Sequence, residues 1–394
     1  MLHLIVAGGD DPSDDHTWSG TPKSLIAELR RRGHLVTVAG PLSPLETCQV
    51  RAKRWFYRYV RDKRYIPSRD PIAVGARQDA LNAMVRAAGP AGAVIALDAG
   101  DTAILRCDAP LIFVHDATWH DLLDFYPRYD RRRLAPETIA GGHELTRMAL
   151  ANCDRVIYSS NWAAASARAN YGLNSSKIRV HPFGANLTTV PTAEAVRCSI
   201  VRRGQGVCRL LFVGVDWWRK GGDIAIAVTR ALVASGIPAE LYVVGSDPPA
   251  GADPVVRAHG FLDRKNKIQA AELTSLFAEA DFLLLPSRAD CSPIVLSEAA
   301  ANGLPVVSTA VGGIPEIMGE GSWGQLFAPN APAADYAAWI ARTFADRALY
   351  EFMARRARQE YENRLSWEAF GQMLVAEIEA LRPRSETRAS AAVA

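Results

Sequence analysis

The sequence predicts an α/β protein of two Rossmann-like domains facing a central cleft, and three observations predict it. Short β-branched and apolar runs alternate with longer helical patterns, the signature of parallel sheets covered on both faces. The alternation starts afresh near the middle of the chain, each series opening with an apolar strand that runs into glycine. At 394 residues and 42.8 kDa the chain is also longer than one ordinary core accommodates.

The first series reads as strands at "LHLIVAG", "HLVTVAG", "AVIALDA", "PLIFVHD", "RVIYSS" and "IRVHPFG", with helices including Pro22 to Arg32 and Pro136 to Ala151. The second reads as "CRLLFVG", "AELYVVG", "VRAHGF", "DFLLLPS", "PVVSTA" and "GQLFAP", with helices including Gly222 to Ser235 and Ala270 to Ala280. The expected domains are 1–188 and 207–364, with the polar stretch from Asn186 to Gly206 as the linker region. After Ala333 the pattern is helical, and residues 383–394 read as a disordered tail. Ligands of open parallel sheets sit at the carboxyl ends of the strands, so two facing sheets would enclose a cleft between them.

Composition narrows the function. Hydrophobic residues at 49% and charged residues at 22% are ordinary for a soluble globular protein. A net charge of +3 is too small to argue for a nucleic-acid partner, so any basic surface is local. The six cysteines (48, 107, 153, 198, 208 and 291) show neither C-x-x-C nor metal spacing with histidine, which predicts reduced thiols and no zinc site. The start, "LHLIVAGG", lacks a signal-peptide lead-in, and no apolar run approaches the ~18 residues of a membrane span. The expected location is cytoplasmic, at most peripheral to the inner face of the membrane.

Two acids, Asp290 and Glu298, stand with seven residues between them in "SRADCSPIVLSEAAANGLPVVS". "DFLLLPS" ends a strand, and Ser292-Pro293 reads as an N-cap followed by proline at the first helical position. The backbone N–H groups of Ile294 and Val295 would then point out of a helix start, favouring a phosphate. Glu298 lies three and four residues beyond them and shares their face. A ligand with phosphates in the middle and hydroxyls at both ends satisfies all three features; a bare helix start with solvated acids is the bland alternative.

The longer stretch "PSRADCSPIVLSEAAANGLPVVSTAVGGIPEI" resembles the nucleotide-binding motif of the retaining, group 1, family 4 glycosyltransferases, which have the GT-B architecture. The resemblance implies that Asp290 faces the transferred sugar, that Ile294 and Val295 donate N–H groups to the diphosphate, and that Glu298 takes the ribose hydroxyls. It also implies that Gly312-Gly313 closes over the donor. The family's commoner first acid is glutamate, so Asp290 departs from it by one methylene. "LLFVGVDWWRKGGDIAIAV" resembles the family segment that supplies positive charge to the diphosphate. Lys220 matches the family lysine. The usual arginine position is Val215 here, which leaves Arg219 as the candidate second cation. Charge builds on a nucleoside-diphosphate leaving group as the glycosidic bond breaks, so a cationic pair would serve it with no Asp-x-Asp metal motif and no cofactor.

Towards the N-terminus, "WSGTPKSLIAELRRRGHLVTV" resembles the family's first glycine loop, with Gly20 as the phosphate-approaching residue; a plain turn is the alternative. The acidic "GGDDPSDD" before it reads as a solvated loop. His115, and Asp116 beside it, end a strand where the family places a polar contact to the sugar. No protein base is required if the leaving phosphate assists the acceptor. Gly184 and Asn186 correspond to a family turn that could meet sugar or acceptor, with a structural turn as the alternative. Donor selectivity is expected to involve the loop from His259 to Asp263. A last helix at about 366–382 would cross back to the first domain, as in GT-B enzymes.

Residues 51–69, "RAKRWFYRYVRDKRYIPSR", carry eight Lys/Arg, one Asp and five aromatics. Three readings stand: a solvated or inter-domain surface, contact with an anionic lipid surface or acceptor, or stacking on nucleic acid. The apolar positions show no clean helical stripe. The expected function is a metal-independent retaining hexosyltransferase that moves a sugar from a nucleotide sugar to a glycan, lipid-linked or small-molecule hydroxyl, without a nucleic-acid partner. A GT-B nucleotide-sugar epimerase and a non-catalytic nucleotide-sugar-binding protein are the alternatives.

Overall fold

The computed structural model describes residues 1–381 apart from 13, 15–16, 44–45 and 249–252. The expected tail at 383–394 and part of the acidic stretch from Gly8 to Asp15 therefore lie outside the described residues. The chain divides into two compact units, Met1–His181 with the chain from Phe370 onward, and Pro182–Ala369. The division falls inside the helix Trp367–Glu379.

In the first unit the strands β1 (His3–Ala7), β2 (Leu35–Ala39), β3 (Ala93–Ala96), β4 (Leu111–His115), β5 (Arg155–Tyr158) and β6 (Ile178–Val180) form one sheet in the order β2-β1-β3-β4-β5-β6. All its pairings are parallel. The second unit carries β7 (Cys208–Val213), β8 (Ala239–Val244), β9 (Val256–Gly260), β10 (Phe282–Leu285), β11 (Val306–Thr309) and β12 (Gly324–Phe327), ordered β12-β11-β10-β7-β8-β9. These too pair in parallel throughout. Chain order reverses beside the first strand of each sheet, between β1 and β3 in one and between β7 and β10 in the other. Those reversals are where open α/β sheets bind ligands.

The apolar runs are inner strands because helices cover both faces of a parallel sheet. "AVIA" of β3 and "FLLL" of β10 are buried at every position, whereas edge strands β2 and β9 are partly exposed. Burying each large side chain of β10 contributes about 1.5–3 kcal/mol. The helices expected from the sequence are present as Thr21–Arg31, Pro136–Asn152, Gly222–Ala234 and Lys267–Glu279. The largest shift is at Lys267, where the Asn266 side chain accepts from the N–H groups of Ile268 and Gln269 and starts the helix three residues early.

One expectation is corrected. The polar stretch read as a linker contains the helix Ala193–Arg202, capped by Thr192, with Val196 and Ile200 buried in the core of the second unit. Arg203, in the same stretch, is buried and donates to the carbonyls of Phe277, Ala278, Asn302 and Gly303. It thereby satisfies orphan carbonyls at the ends of two helices, a favourable place for a cation. Among the described residues no helix is long and apolar enough to cross a membrane.

Candidate active site

In the second unit the loops after β7 and β10 are laced together where chain order reverses. Asp216 caps the short helix Trp217–Lys220 by accepting from the Arg219 N–H. Gly221 follows at φ 80°, and a Cβ there would stand 2.0 Å from the Pro286 carbonyl oxygen, so only glycine lets the two loops meet. The Arg288 N–H donates to the Arg219 carbonyl, and the Arg219 guanidinium donates to the Ala289 carbonyl. Arg288 stacks 3.7 Å over the Trp218 ring and pairs with Asp223 through two 2.7 Å bonds. Hydrogen bonding from Arg288 holds the Asp223 carboxyl below its ordinary range.

This lacing brings three predicted residues together. Lys220 Nζ lies 2.5 Å from Asp290 Oδ2, and Arg219 Nη1 lies 3.4 Å from the same oxygen. Lys220 and Asp290 are both buried. Lys220 is thus the partner of Asp290 rather than an isolated phosphate cation, and Arg219 is shared between Asp290 and Asp216, whose Oδ2 lies 3.3 Å from its Nε. Gly313 joins it by donating its N–H to the Asp290 carbonyl, and Gly312 turns the loop at φ 54°.

The helix after β10 runs Ile294–Ala301, one residue later than the cap reading supposed. Pro293 occupies the cap position, extended at ψ 100°, and no side chain caps the end. Ser292 therefore stands one residue too early to reach the first-turn N–H groups, and its buried hydroxyl has no hydrogen-bond partner among the described residues. Ile294 and Val295 form the first turn, whose N–H groups lack intrahelical acceptors. Glu298 is buried on the next turn, and Arg264 grips both its oxygens, at 2.7 Å and 2.8 Å. A carboxylate so held keeps lone pairs on each oxygen for further donors. The sequence reading missed Arg264; its position just beyond the flagged loop from His259 to Asp263 was the available signal. His259 itself faces Glu272, 2.7 Å away, and stacks on Tyr242.

Gly184 and Asn186, read with the first domain, fall in the second unit. A Cβ on Gly184 would stand 2.3 Å from the Trp367 backbone nitrogen. The Asn186 side chain accepts from Trp367 Nε1 at 2.8 Å, and its carbonyl accepts from Arg264. Their observed partners are packing partners, with Asn186 one step behind the Glu298–Arg264 pair.

In the first unit, Trp18, Ser19 and Gly20 have φ of 46°, 56° and 78°, a left-handed turn that ends at the helix Thr21–Arg31. Left-handed backbone at two non-glycine residues stores strain of order 1–3 kcal/mol each. Trp18, which the sequence reading passed over, ties the turn to the end of β4: its Nε1 donates to Asp116 Oδ2 at 3.2 Å, and its ring lies 5.3 Å from that of His115. His115 Nδ1 is in turn 3.2 Å from Asp116 Oδ1. Gly20, His115 and Asp116 are therefore neighbours of one tryptophan.

A second acidic pair, unread in the sequence, closes the β1/β3 reversal. Asp98 is held by Arg69 at 3.2 Å, while Asp101 accepts from the Gly9 N–H at 2.6 Å. Burial raises the Asp98 carboxyl, but the Arg69 and His115 charges outweigh it and leave it below its ordinary range. Burial, with the Asp98 charge behind it, pushes Asp101 up to about 7. Among the described residues no three His, Cys, Asp or Glu side chains gather as a metal-holding group.

Comparison with known proteins bears on the family and the fold. The sequence model described as "Glycosyltransferase Family 4" matches residues 23–189, and the one described as "Glycosyl transferases group 1" matches residues 208–346. A D-inositol 3-phosphate glycosyltransferase of Segniliparus rotundus is 28% identical over 239 residues, 58% of this chain and 52% of the relative. The chain spans about half the length of the first curated relatives it matches. Sucrose-phosphate synthase from Thermosynechococcus elongatus superposes with a TM-score of 0.67 at 18% identity, covering 96% of this chain and 99% of that one. Anabaena HepE in complex with UDP superposes at 0.62 with 17% identity, covering 97% and 100%. These likenesses show the fold: GT-B, two Rossmann-like units in one chain. With the two sequence models matching in succession on those two units, the chain belongs to the group 1, family 4 glycosyltransferases.

Proposed function

We propose that the protein is a retaining glycosyltransferase that moves a hexose from a nucleoside-diphosphate sugar to an acceptor hydroxyl without a metal ion. The observation that carries this reading is the cluster of Lys220, Arg219 and Asp290 at the reversal between β7 and β10, with the start of helix Ile294–Ala301 beside it. Two cations and a helix start suit a diphosphate, and the charge that develops on it during bond breaking is what preorganised cations stabilise best. Asp290 then holds Lys220 in place and offers its remaining lone pairs to the sugar hydroxyls. Glu298, oriented by Arg264, takes the ribose diol. Gly20, His115 and Asp116, whose geometry Trp18 sets, form the first unit's own candidate contact for a sugar or phosphate. In this scheme the leaving phosphate accepts the proton of the incoming hydroxyl, so retention needs no protein base.

HepE, solved with UDP and with UDP-glucose, supports a uridine nucleotide as the first donor to test. The acceptor class is a hydroxyl of a glycan, a lipid-linked sugar or a small molecule. The deciding experiment is a thermal-shift panel of nucleoside diphosphates and their sugars, with EDTA throughout. One nucleotide raising the melting temperature supports the donor site and its independence of metal. No shift at millimolar ligand from a folded protein overturns the donor assignment. With the donor in hand, the anomeric configuration of the transferred sugar, read by NMR, tests retention, and recovery of an isomerised nucleotide sugar in place of a glycoside would favour an epimerase.

A further inference from the structure

The helix Cys48–Tyr59 has two apolar faces, which is why its sequence shows no clean stripe. Val50 and Tyr57, seven residues apart, are buried against the first unit, in a cluster with Tyr65, Ala73 and Ala135. Lys53 shares that side and is neutralised there by Asp70 and Glu137, each at 2.8 Å. At roughly 100° per residue, Cys48, Ala52, Trp55 and Tyr59 follow the spacing i, i+4, i+7, i+11 along the opposite face. That outer stripe is not packed: Trp55 is 60% exposed and Tyr59 68%, with Phe56 and Val60 at its edge 43% and 56% exposed. The Trp55 and Tyr59 rings lie 6.2 Å apart, forming a continuous aromatic surface.

Cations border this stripe. Arg51, Arg54 and Arg58 flank it along the helix, and Arg61, Lys63 and Arg64 follow its end. Arg54 pairs with Glu46, but Arg51, Arg58 and Arg61 have no ion-pair partner among the described residues. The surface continues onto a second basic segment. The Arg64 N–H donates to the Arg133 carbonyl, and Lys63 Nζ donates to the Arg132 carbonyl, so Arg131, Arg132 and Arg133 stand exposed beside it.

We propose that this face docks the protein onto the surface of an anionic lipid bilayer. An interfacial helix lies flat with aromatic side chains at the level of the acyl–headgroup boundary and cations among the headgroups. The flanking arginines have the reach to bury their stems and keep their guanidinium groups in the headgroup layer. The charge is complementary to anionic lipid, and the exposed aromatics form one stripe parallel to the helix axis. A single-stranded nucleic acid fits less well, because the cations border the aromatic stripe rather than track a backbone across it. The inference does not rest on the donor site: it concerns where the protein works rather than what it transfers.

The test is co-sedimentation of the full chain with vesicles of phosphatidylcholine containing roughly 30% phosphatidylglycerol, against phosphatidylcholine alone. The expected result is binding to the anionic vesicles that weakens as salt rises. The double variant Trp55→Ser/Tyr59→Ser, altered only on the outer face, should lower the partition coefficient about tenfold or more. Arg58→Glu should lower it as well. Circular dichroism and the nucleotide-induced thermal shift report that each variant is folded with its donor site intact. Brominated lipid should quench the wild-type tryptophan emission, and quench Trp55→Phe markedly less. No partition of the folded wild type, equal partition of the Trp55→Ser/Tyr59→Ser variant, or tighter binding to an oligonucleotide than to vesicles at the same salt would each overturn the proposal.

Discussion

At the residue scale the decisive feature is that Lys220 and Asp290 neutralise each other in a buried place. Breaking a buried pair from one side costs about 3–5 kcal/mol when the other charge is left uncompensated, and less here because Arg219 stays 3.4 Å from Asp290. Lys220→Ala should therefore lower the melting temperature as well as turnover. Adding Asp290→Asn should restore part of the stability and none of the activity; recovery of turnover in the double variant would remove Lys220 from the mechanism. Glu298 makes a cleaner case. Glu298→Gln keeps the shape but removes the charge that accepts from a ribose diol, where each charge-assisted bond contributes about 1.5–3 kcal/mol. The dissociation constant of the nucleoside diphosphate, measured by calorimetry, should rise about tenfold or more. An unchanged constant would mean that Glu298 serves only Arg264.

At the scale of elements, two strand ends make predictions of their own. Asp101, past β3, keeps its proton up to about pH 7 because burial and the Asp98 charge oppose ionisation. A carboxyl whose folded pKa stands above its unfolded value of about 4 adds stability that is complete below the lower figure. That stability is lost as pH rises through the higher one. Asp101→Asn should remove this decline, so the difference between wild-type and variant unfolding free energies should change between pH 4 and 7 and level off above. A flat difference would show that Asp101 ionises normally. Past β6, Gly184 lies against the Trp367 backbone, and Gly184→Ala would force a Cβ to 2.3 Å from its nitrogen. Overpacking of that kind costs about 1–3 kcal/mol, read as a fall in the urea midpoint of the second unit.

Across the whole molecule, each unit carries its own candidate groups, and hydrogen exchange reads them separately. A nucleoside diphosphate alone should slow exchange in residues 214–222, 286–298 and 312–314, all in the second unit. Protection confined to the first unit would place the nucleotide on the wrong sheet. The same experiment reads the helix Cys48–Tyr59, which should be silent towards nucleotide and respond to anionic vesicles.

Much of this architecture was legible along the chain because its signals are local. Most of the twelve strands follow from apolar runs with glycine or proline beside them, and parallel sheets make such runs continuous; β5 lacks such a boundary and edge strand β9 carries Arg257 and His259. The acidic interval from Asp290 to Glu298 and the Arg219-Lys220 pair are likewise contiguous motifs, readable without coordinates. What the tertiary structure decided is which distant groups meet. That Lys220 closes on Asp290, that Arg264 grips Glu298, that Trp18 binds the end of β4 and that Asp98 and Asp101 close the β1/β3 reversal all depend on loops brought together by strand order. The same holds for the stretch read as a linker, where Val196 and Ile200 become core residues only once a sheet is present to cover. Periodicity records which faces of an element are apolar, but partners separated by tens of residues are chosen by topology, and so is the face of Cys48–Tyr59 that remains in water.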